Sequence, residues 1–196
     1  MNSTKSKNQN NNSIDWKGLL AWVILALLLR FLVIEPRWIP SGSMLPTLQI
    51  QDKILVEKIK PKISRKLKNH LNLNSIVIFK PPTSLIDAGY DEKSALIKRV
   101  VGIPGDKLKV KNGKLIRNDL EVDEPWIKEP INYEMQELIV PPRSLWVLGD
   151  NRNNSLDSHF WGPLPERNLI GTALLRYWPL QRIGFIRFPQ PIQIES

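Results

Sequence analysis

The sequence contains no cysteine among its 196 residues. This absence excludes disulfide bonds, thiolate metal sites and a cysteine nucleophile. Histidine is almost as rare, because His70 and His159 are the only two. Their positions lack the spacing of metal ligands, so we expect no metal site and no cofactor. After Ile34 the chain also has no long stretch of helical periodicity, which argues against a helical domain.

Lysine and arginine, 28 in number, exceed the 19 aspartates and glutamates, so the net charge is +9. A basic surface can serve nucleic acid or anionic lipid headgroups. The basic residues are scattered, apart from a loose cluster between Lys58 and Lys68, and no nucleic-acid recognition motif accompanies them. We therefore predict a solvated basic loop, with contact to lipid headgroups as the second interpretation, and no nucleic-acid partner.

One long apolar run extends from Trp16 to Ile34, after a polar tail (residues 1–15) for which we expect disorder. As a helix these residues would extend about 28 Å, close to the roughly 30 Å hydrocarbon core of a bilayer. Arg30 lies near the end of the run, where a long side chain can reach the headgroups. A cleavable secretory signal is the alternative, but no small-x-small cleavage site follows. The run thus predicts a single transmembrane anchor over residues 16–35.

The charges on either side of the run bear on its orientation. Lys5, Lys7 and Lys17 come before or at its start and favour a cytoplasmic N-terminus by the positive-inside rule. Arg30 and Arg37, at its far end, act against that preference. We expect the N-terminus in the cytoplasm and the rest of the chain on the trans side of the membrane, in the periplasm or the thylakoid lumen.

The remainder of the chain, residues 36–196, has the pattern of an all-β domain. Short β-branched or aromatic runs are separated by Gly, Pro, Asn and Asp. Between Val110 and Leu115, Asn112-Gly113 is typical of a two-residue hairpin turn. Residues 107–143 are expected to form an inserted β subdomain or a long hairpin. The predicted strands are Lys53–Ile59, Ser75–Phe79, Leu96–Val101, Lys107–Val110, Leu115–Arg117, Ser144–Leu148 and Ile170–Tyr177.

Ser43 is a candidate nucleophile. It lies in the segment Pro-Ser-Gly-Ser-Met-Leu-Pro-Thr-Leu, directly after the apolar run. Gly42 permits a close approach of the backbone to a ligand, and the flanking Pro40 and Pro46 stiffen the segment. Catalytic groups need such a rigid mount.

Lys98 is the candidate base that a serine nucleophile requires. It lies in Lys-Arg-Val-Val-Gly-Ile-Pro-Gly-Asp, inside a predicted strand, with Ile97, Val100 and Val101 as neighbours. Desolvation disfavours the charged form of lysine and lowers its pKa, and a neutral lysine is a base. Strand alternation directs Arg99 to the opposite face.

A third segment, from Gly149 to Gly162, is dense in turn-forming and charged residues. Together, in this order behind an apolar run, the three segments resemble those of type I signal peptidases. These are membrane-anchored serine–lysine proteases that remove signal peptides from exported preproteins. The variant Asn-Arg-Asn-Asn-Ser-x-Asp-Ser-His resembles the cyanobacterial and plastid thylakoid branch of that family most.

The resemblance implies an all-β signal-peptidase fold and assigns roles to individual residues. Ser43 is the nucleophile, Lys98 the general base, and the Ser41 hydroxyl with the Ser43 amide forms the oxyanion hole. A serine at the position of Ser155 orients the lysine amine. Charged residues brace the site, namely Arg99, Asp150, Arg152, Asp157 and His159.

The implied substrate is a signal-peptide-bearing preprotein that binds as an added strand. Its −1 and −3 side chains point the same way, because strand side chains alternate with period two. Shallow apolar pockets would then select small residues at both positions. Candidates for lining them are Ile39, Pro40, Met44, Leu48, Leu96 and Ile97, and for Leu48 a place in the ordinary core is an equal alternative.

Two positions differ from the commonest bacterial pattern of the family. Asn153 replaces a frequent aspartate, and His159 replaces a frequent arginine. The second change weakens the expectation of a fixed ion pair with Asp157, since histidine is only partly charged near neutral pH. It also opens a rival mechanism, a triad of Ser43, His159 and Asp157.

Other classes of protein stay open on the sequence alone. A non-catalytic membrane-anchored β-domain would keep the fold without the reaction, but both members of the serine–lysine pair are present. A self-cleaving repressor would need a helical DNA-binding domain where this chain has an apolar run. A penicillin-binding Ser-x-x-Lys site is absent, because Met44 and Pro46 lie three residues after the two serines.

Overall fold

A computed structural model describes residues 15–59, 61, 72–186 and, for the backbone, 193–194. The predicted tail and most of the basic cluster between Lys58 and Lys68 lie outside the described residues, as does the side chain of Arg30. The first element of the described part is an apolar helix, Trp16–Leu32. Among the described residues no helix has the length and apolar character needed to cross a membrane.

Antiparallel strands make up most of the rest of the described chain. In chain order they are β1 (Ile34–Trp38), β2 (Lys53–Glu57), β3 (Ile76–Phe79), β4 (Leu96–Gly102), β5 (Lys107–Lys111), β6 (Lys114–Arg117), β7 (Leu120–Val122), β8 (Met135–Ile139), β9 (Ser144–Leu148), β10 (Leu164–Pro165), β11 (Leu169–Trp178), β12 (Gly184–Phe185) and β13 (Gln193–Ile194). Two short helices, Thr83–Asp87 and Ser158–Trp161, interrupt them.

The strands form two sheets. The larger has the order β1-β2-β11-β3-β4-β9-β10, with β12 added to β11, and the smaller has the order β13-β7-β6-β5-β8. The prediction of a mostly β domain is therefore confirmed. Ile34 and Glu35, which the sequence pattern placed in the anchor, begin β1. Pro36 is tolerated there because β1 is an edge strand of the described sheet, where its one partner is β2.

The hairpin between β5 and β6 has the predicted turn. Asn112 and Gly113 have φ values of 53° and 78°, and Lys111 pairs with Lys114 across them. Both central residues of this turn type need positive φ, which asparagine and glycine adopt at low cost.

The smaller sheet shares its core with the larger one. Leu108, Val110 and Leu115 pack in one cluster with Val101 of β4 and Trp146 of β9. The predicted segment 107–143 contains β5 to β8, and Gln193–Ile194 adds a strand from outside that range. This packing attaches the smaller sheet to β4, which carries Lys98, and to β9, which leads into the third segment.

The central strands β3, β4 and β9 are buried along their whole length. Lys98 and Arg99 are thus adjacent residues of a buried strand, and each must find polar partners on its own face, since an unpaired buried charge is costly.

Candidate active site

Ser43 lies on a loop between β1 and β2, in a single 3₁₀ turn, Gly42–Met44. Met44 and Leu48 are fully buried and belong to the core cluster that includes Ile54 and Val56 of β2. They hold the loop against the larger sheet. Both side chains point into the core, as the alternative for Leu48 predicts, and neither is among the residues that line the cavity described below.

Lys98 approaches Ser43 from β4. Its Nζ lies 2.8 Å from Ser43 Oγ, and the lysine is only 4% exposed. Burial lowers its pKa from 10.5 to about 8, while the charges of Asp157 and Asp150 oppose that shift. A hydrogen bond between a hydroxyl and an amine of lowered pKa is the arrangement in which the amine can take the hydroxyl proton.

Ser41 adds a second hydroxyl beside Ser43. The two Oγ atoms are 3.4 Å apart, and Ser41 is exposed at the surface of the loop. Its hydroxyl is therefore accessible to a group that bonds to Ser43.

Arg99 and Asp150 form a buried ion pair behind the serine loop. Arg99 donates from Nε to Asp150 Oδ1 at 2.7 Å and from Nη2 to Oδ2 at 2.6 Å. The Thr47 hydroxyl also donates to Asp150 Oδ2, at 2.5 Å. Trp126, from the smaller sheet's side of the molecule, stacks over the guanidinium at 4.6 Å. This bidentate pair joins β4, the serine loop and the third segment.

Arg152 makes a second buried bidentate pair. Its partner is Glu124, at 2.5 and 2.6 Å, and the Arg152 Nε donates to Gly149 O at 3.1 Å. Sequence reasoning missed Glu124, because it is 28 residues away in a loop after β7 and no local pattern marks it. The pair fixes the third segment to the smaller sheet.

Asp157 and His159 are in contact despite the departure from the usual arginine. His159 Nδ1 lies 2.7 Å from Asp157 Oδ1, and the ring stacks on Tyr133 with centroids 4.1 Å apart. Asp157 is completely buried and also accepts a hydrogen bond from Gly149 N at 2.8 Å. Asp157 is thus held by the backbone as well as by the imidazole.

Ser155 does not make the hydrogen bond to the lysine amine that the resemblance implies. Its Oγ is buried and has no hydrogen-bond partner among the described residues. It packs against Gly149, where an added Cβ would collide with Ser155 Oγ and with the carbonyl oxygen of Ser43. Glycine at this position therefore allows the third segment to approach the serine loop closely.

A cavity of about 790 Å³ opens beside the Ser43–Lys98 pair. Its lining residues include Ile39, Pro40, Leu96 and Ile97, which are four of the candidates for the substrate pocket. His159 is not among its lining residues. Sequence reasoning missed further lining residues, which are distant in the chain or lack an apolar pattern: Arg37, Trp38, Ile54, Ile78, Tyr90, Ser94, Ala95, Asn154 and Leu156.

The backbone of β4 is open on one side next to this cavity. Residues Leu96–Arg99 pair with β3 on one side, whereas the pairing of β4 with β9 begins only at Arg99. Within the described residues, the stretch before Arg99 therefore presents a strand edge to the cavity. An extended peptide could pair with such an edge.

The Ser43–Lys98 pair, the open strand edge and the two braced arginines define a candidate serine–lysine hydrolase site. In sequence, residues 14–178 match the family described as signal peptidase, peptidase S26. The chain belongs to this family, and the resemblance to type I signal peptidases is confirmed.

The relatives include cyanobacterial and plastid proteins. The chain is 45% identical over 169 residues to the probable signal peptidase I-1 of Synechocystis sp., covering 85% of this chain and 82% of that protein. It is 43% identical over 190 residues to the probable thylakoidal processing peptidase 2, chloroplastic, of Arabidopsis thaliana, covering 94% of this chain. The chain spans about half of that plant protein, 49%.

A solved signal peptidase I from Enterococcus faecalis is also similar, with 21% identity and a TM-score of 0.41 over 53% of this chain and 96% of the other.

Proposed function

We propose that this chain is a membrane-anchored serine endopeptidase that removes N-terminal signal peptides from exported preproteins. The observation that carries the proposal is the 2.8 Å contact between Ser43 Oγ and the buried Lys98 Nζ. Burial keeps the amine partly neutral near physiological pH, and a neutral amine in hydrogen-bond contact can activate the hydroxyl.

The reaction would proceed in two stages. Ser43 Oγ attacks the scissile carbonyl, and Lys98 takes the hydroxyl proton. The Ser41 hydroxyl and the Ser43 amide donate to the developing oxyanion. Lys98 then delivers the proton to the leaving amine, and in the second stage it activates a water that hydrolyses the acyl-enzyme.

The preprotein would bind at the open edge of β4, with its backbone paired to the stretch before Arg99. Side chains two residues apart would then enter the same cavity, where Ile97 and Leu96 limit the space. This geometry supports the selection of small residues at the −1 and −3 positions.

The anchor and the location are part of the same proposal. The N-terminal helix carries exposed apolar side chains along its length, including Leu20, Trp22 and Leu28 at 60%, 72% and 51% exposure. Such a surface favours lipid over water. The N-terminus would lie in the cytoplasm, and the β domain with its inserted subdomain (residues 107–143) on the periplasmic or thylakoid-lumenal side.

The test is cleavage of a signal-peptide-bearing preprotein by the full chain purified in detergent. Ser43→Ala and Lys98→Ala should each abolish cleavage while circular dichroism and the melting temperature show a folded protein. Lys111→Ala, at an exposed strand position, is the matched control and should cleave like wild type. Robust cleavage by either site variant would refute the proposal.

A further inference from the structure

Asn151 bonds to both peptide groups that flank the nucleophile. Its side-chain Nδ2 donates to the carbonyl oxygen of Gly42 at 3.1 Å, and its backbone N–H donates to the carbonyl oxygen of Ser43 at 3.0 Å. No role followed from its place in the sequence between Asp150 and Arg152.

The first of these bonds acts on the peptide plane that carries the Ser43 N–H. The Gly42–Ser43 bond is not among the cis peptides of the described residues, and in a trans peptide the C=O and N–H point in opposite directions. A donor that holds the Gly42 carbonyl therefore sets the direction of the Ser43 N–H. That N–H is one of the two oxyanion donors in the proposed function.

The partner also determines the orientation of the Asn151 amide. A carbonyl oxygen only accepts hydrogen bonds, so the NH₂ side of the amide must face Gly42. The same oxygen also accepts a hydrogen bond from Leu45 N at 3.1 Å, but that donor lies within the same turn. Asn151 thus supplies the contact that ties the plane to a different part of the fold.

The element that carries Asn151 is itself rigidly held. Its neighbours Asp150 and Arg152 are at most 2% exposed and form the two buried ion pairs described above. The Asn151 side chain is therefore held in place and can fix the position of the serine loop.

We infer that Asn151 is a positioning residue for the oxyanion hole, because its side-chain amide orients the peptide plane that presents the Ser43 N–H to the substrate carbonyl. This inference rests on the proposed function. It requires that Asn151 act on the tetrahedral state and leave the ground-state binding of substrate and the base Lys98 unchanged.

The test compares Asn151→Ala and Asn151→Asp with wild type. Alanine removes the donor, and the isosteric aspartate places a carboxylate against the Gly42 carbonyl. Removal of one oxyanion donor costs about 100- to 1,000-fold in kcat, and misalignment should cost less than removal, so we expect a loss of about 10- to 100-fold. The aspartate variant should lose more than the alanine variant, with KM within about twofold of wild type.

A second readout separates positioning from general stability. A substrate-length peptide aldehyde forms a tetrahedral adduct with a serine, and its oxyanion occupies the same hole. Its inhibition constant should rise in parallel with the loss of kcat, while the acidic limb of the pH profile stays in place. Asn112→Asp, an isosteric change in the exposed β5–β6 hairpin, is the control and should alter neither quantity.

Unchanged kcat in Asn151→Ala, or a loss of kcat without weaker aldehyde binding, would overturn the inference. The melting temperature identifies a variant that fails to fold, and the other variant then provides the test. Asn151→His, which retains a ring N–H donor, is a third variant. Restored aldehyde binding in Asn151→His supports the inference. Cleavage by Ser43→Ala would instead refute the proposed function, which keeps the two failures distinguishable.

Discussion

The pH dependence of catalysis follows from the burial of Lys98. Its pKa is lowered from 10.5 to about 8 by desolvation. At pH 7 about one molecule in ten then has a neutral lysine, compared with roughly one in 3,000 for an unperturbed lysine. Burial thus raises the active fraction by about 300-fold at this pH.

The direction in which kcat/KM changes with pH follows from the role of the neutral Lys98 amine as the base. Protonation of Lys98 removes the base, so kcat/KM should fall as the pH drops below about 8. Between pH 8 and pH 6 the neutral fraction decreases about 50-fold, and kcat/KM should decrease by the same factor.

His159→Ala is the informative variant for this profile. Its imidazole lies 2.7 Å from Asp157, and a triad mechanism would make it the base. If Lys98 is the base, His159→Ala should keep most of the activity and the same acidic limb, because the His159 ring contacts Asp157 and Tyr133 and does not line the cavity beside Ser43.

The assay is kcat/KM of preprotein cleavage measured from pH 5.5 to 10 for wild type and His159→Ala. A limb near the free histidine value of about 6.5 would contradict the choice of base. So would a limb that vanishes in His159→Ala or moves by more than about one pH unit.

Three further predictions concern the surroundings of the site. Lys98→Met should raise the melting temperature at pH 7. The pKa of Lys98 is lower in the folded than in the unfolded state, so charging the buried lysine costs up to about 3 kcal/mol, and this cost is absent from the variant. The difference in melting temperature between the variant and wild type should narrow by pH 10.5, where the unfolded lysine is also largely neutral. Glu124→Gln should destabilise the fold by about 3–5 kcal/mol in chemical denaturation, since it leaves the Arg152 guanidinium without its ionic partner. A loss no larger than that of Glu129→Gln, at an exposed position, would contradict the pairing. Gly149→Ala should lower both stability and kcat, because the added methyl group collides with the Ser43 carbonyl, and wild-type values in both measurements would refute that contact.

The strands that were predicted correctly are those with continuous or alternating apolar residues. β4 and β9 are buried on both faces, and such strands read as apolar runs. β8, Met135–Ile139, was missed because its residues are mostly half-buried or exposed and include Gln136 and Glu137. A weakly buried edge strand has no strong pattern, so tertiary pairing decides its structure.

The site was predictable only where a local motif carries it. Ser43 and Lys98 stand in distinctive segments, and the structure brings them together. The places of Met44 and Leu48 in the core could not be distinguished from places in a pocket, because an apolar residue beside a nucleophile suits either environment. Glu124 was not predicted, because its partner Arg152 is distant in the sequence and only the fold brings the two together.

The Ser155 hydroxyl does not face the lysine amine as the resemblance implies, and the reason is again its packing in the fold. The resemblance predicts which residue stands near the lysine, but the rotamer of a hydroxyl depends on its packing. Here Ser155 Oγ is enclosed next to Gly149 without a partner. Ser155→Ala would therefore test whether the hydroxyl acts on the lysine during turnover.

The central claim is that Ser43 attacks the substrate carbonyl after Lys98 removes its proton. The most direct test is to incubate the full chain in detergent with a substrate-length peptide ester, quench with acid, and locate the acyl group by mass spectrometry of the digested protein. We expect the acyl group on Ser43 in wild type and in the Lys111→Ala control, and none in Lys98→Ala. An acyl group on another residue, or acylation of Ser43 at the wild-type rate in Lys98→Ala, would contradict the account.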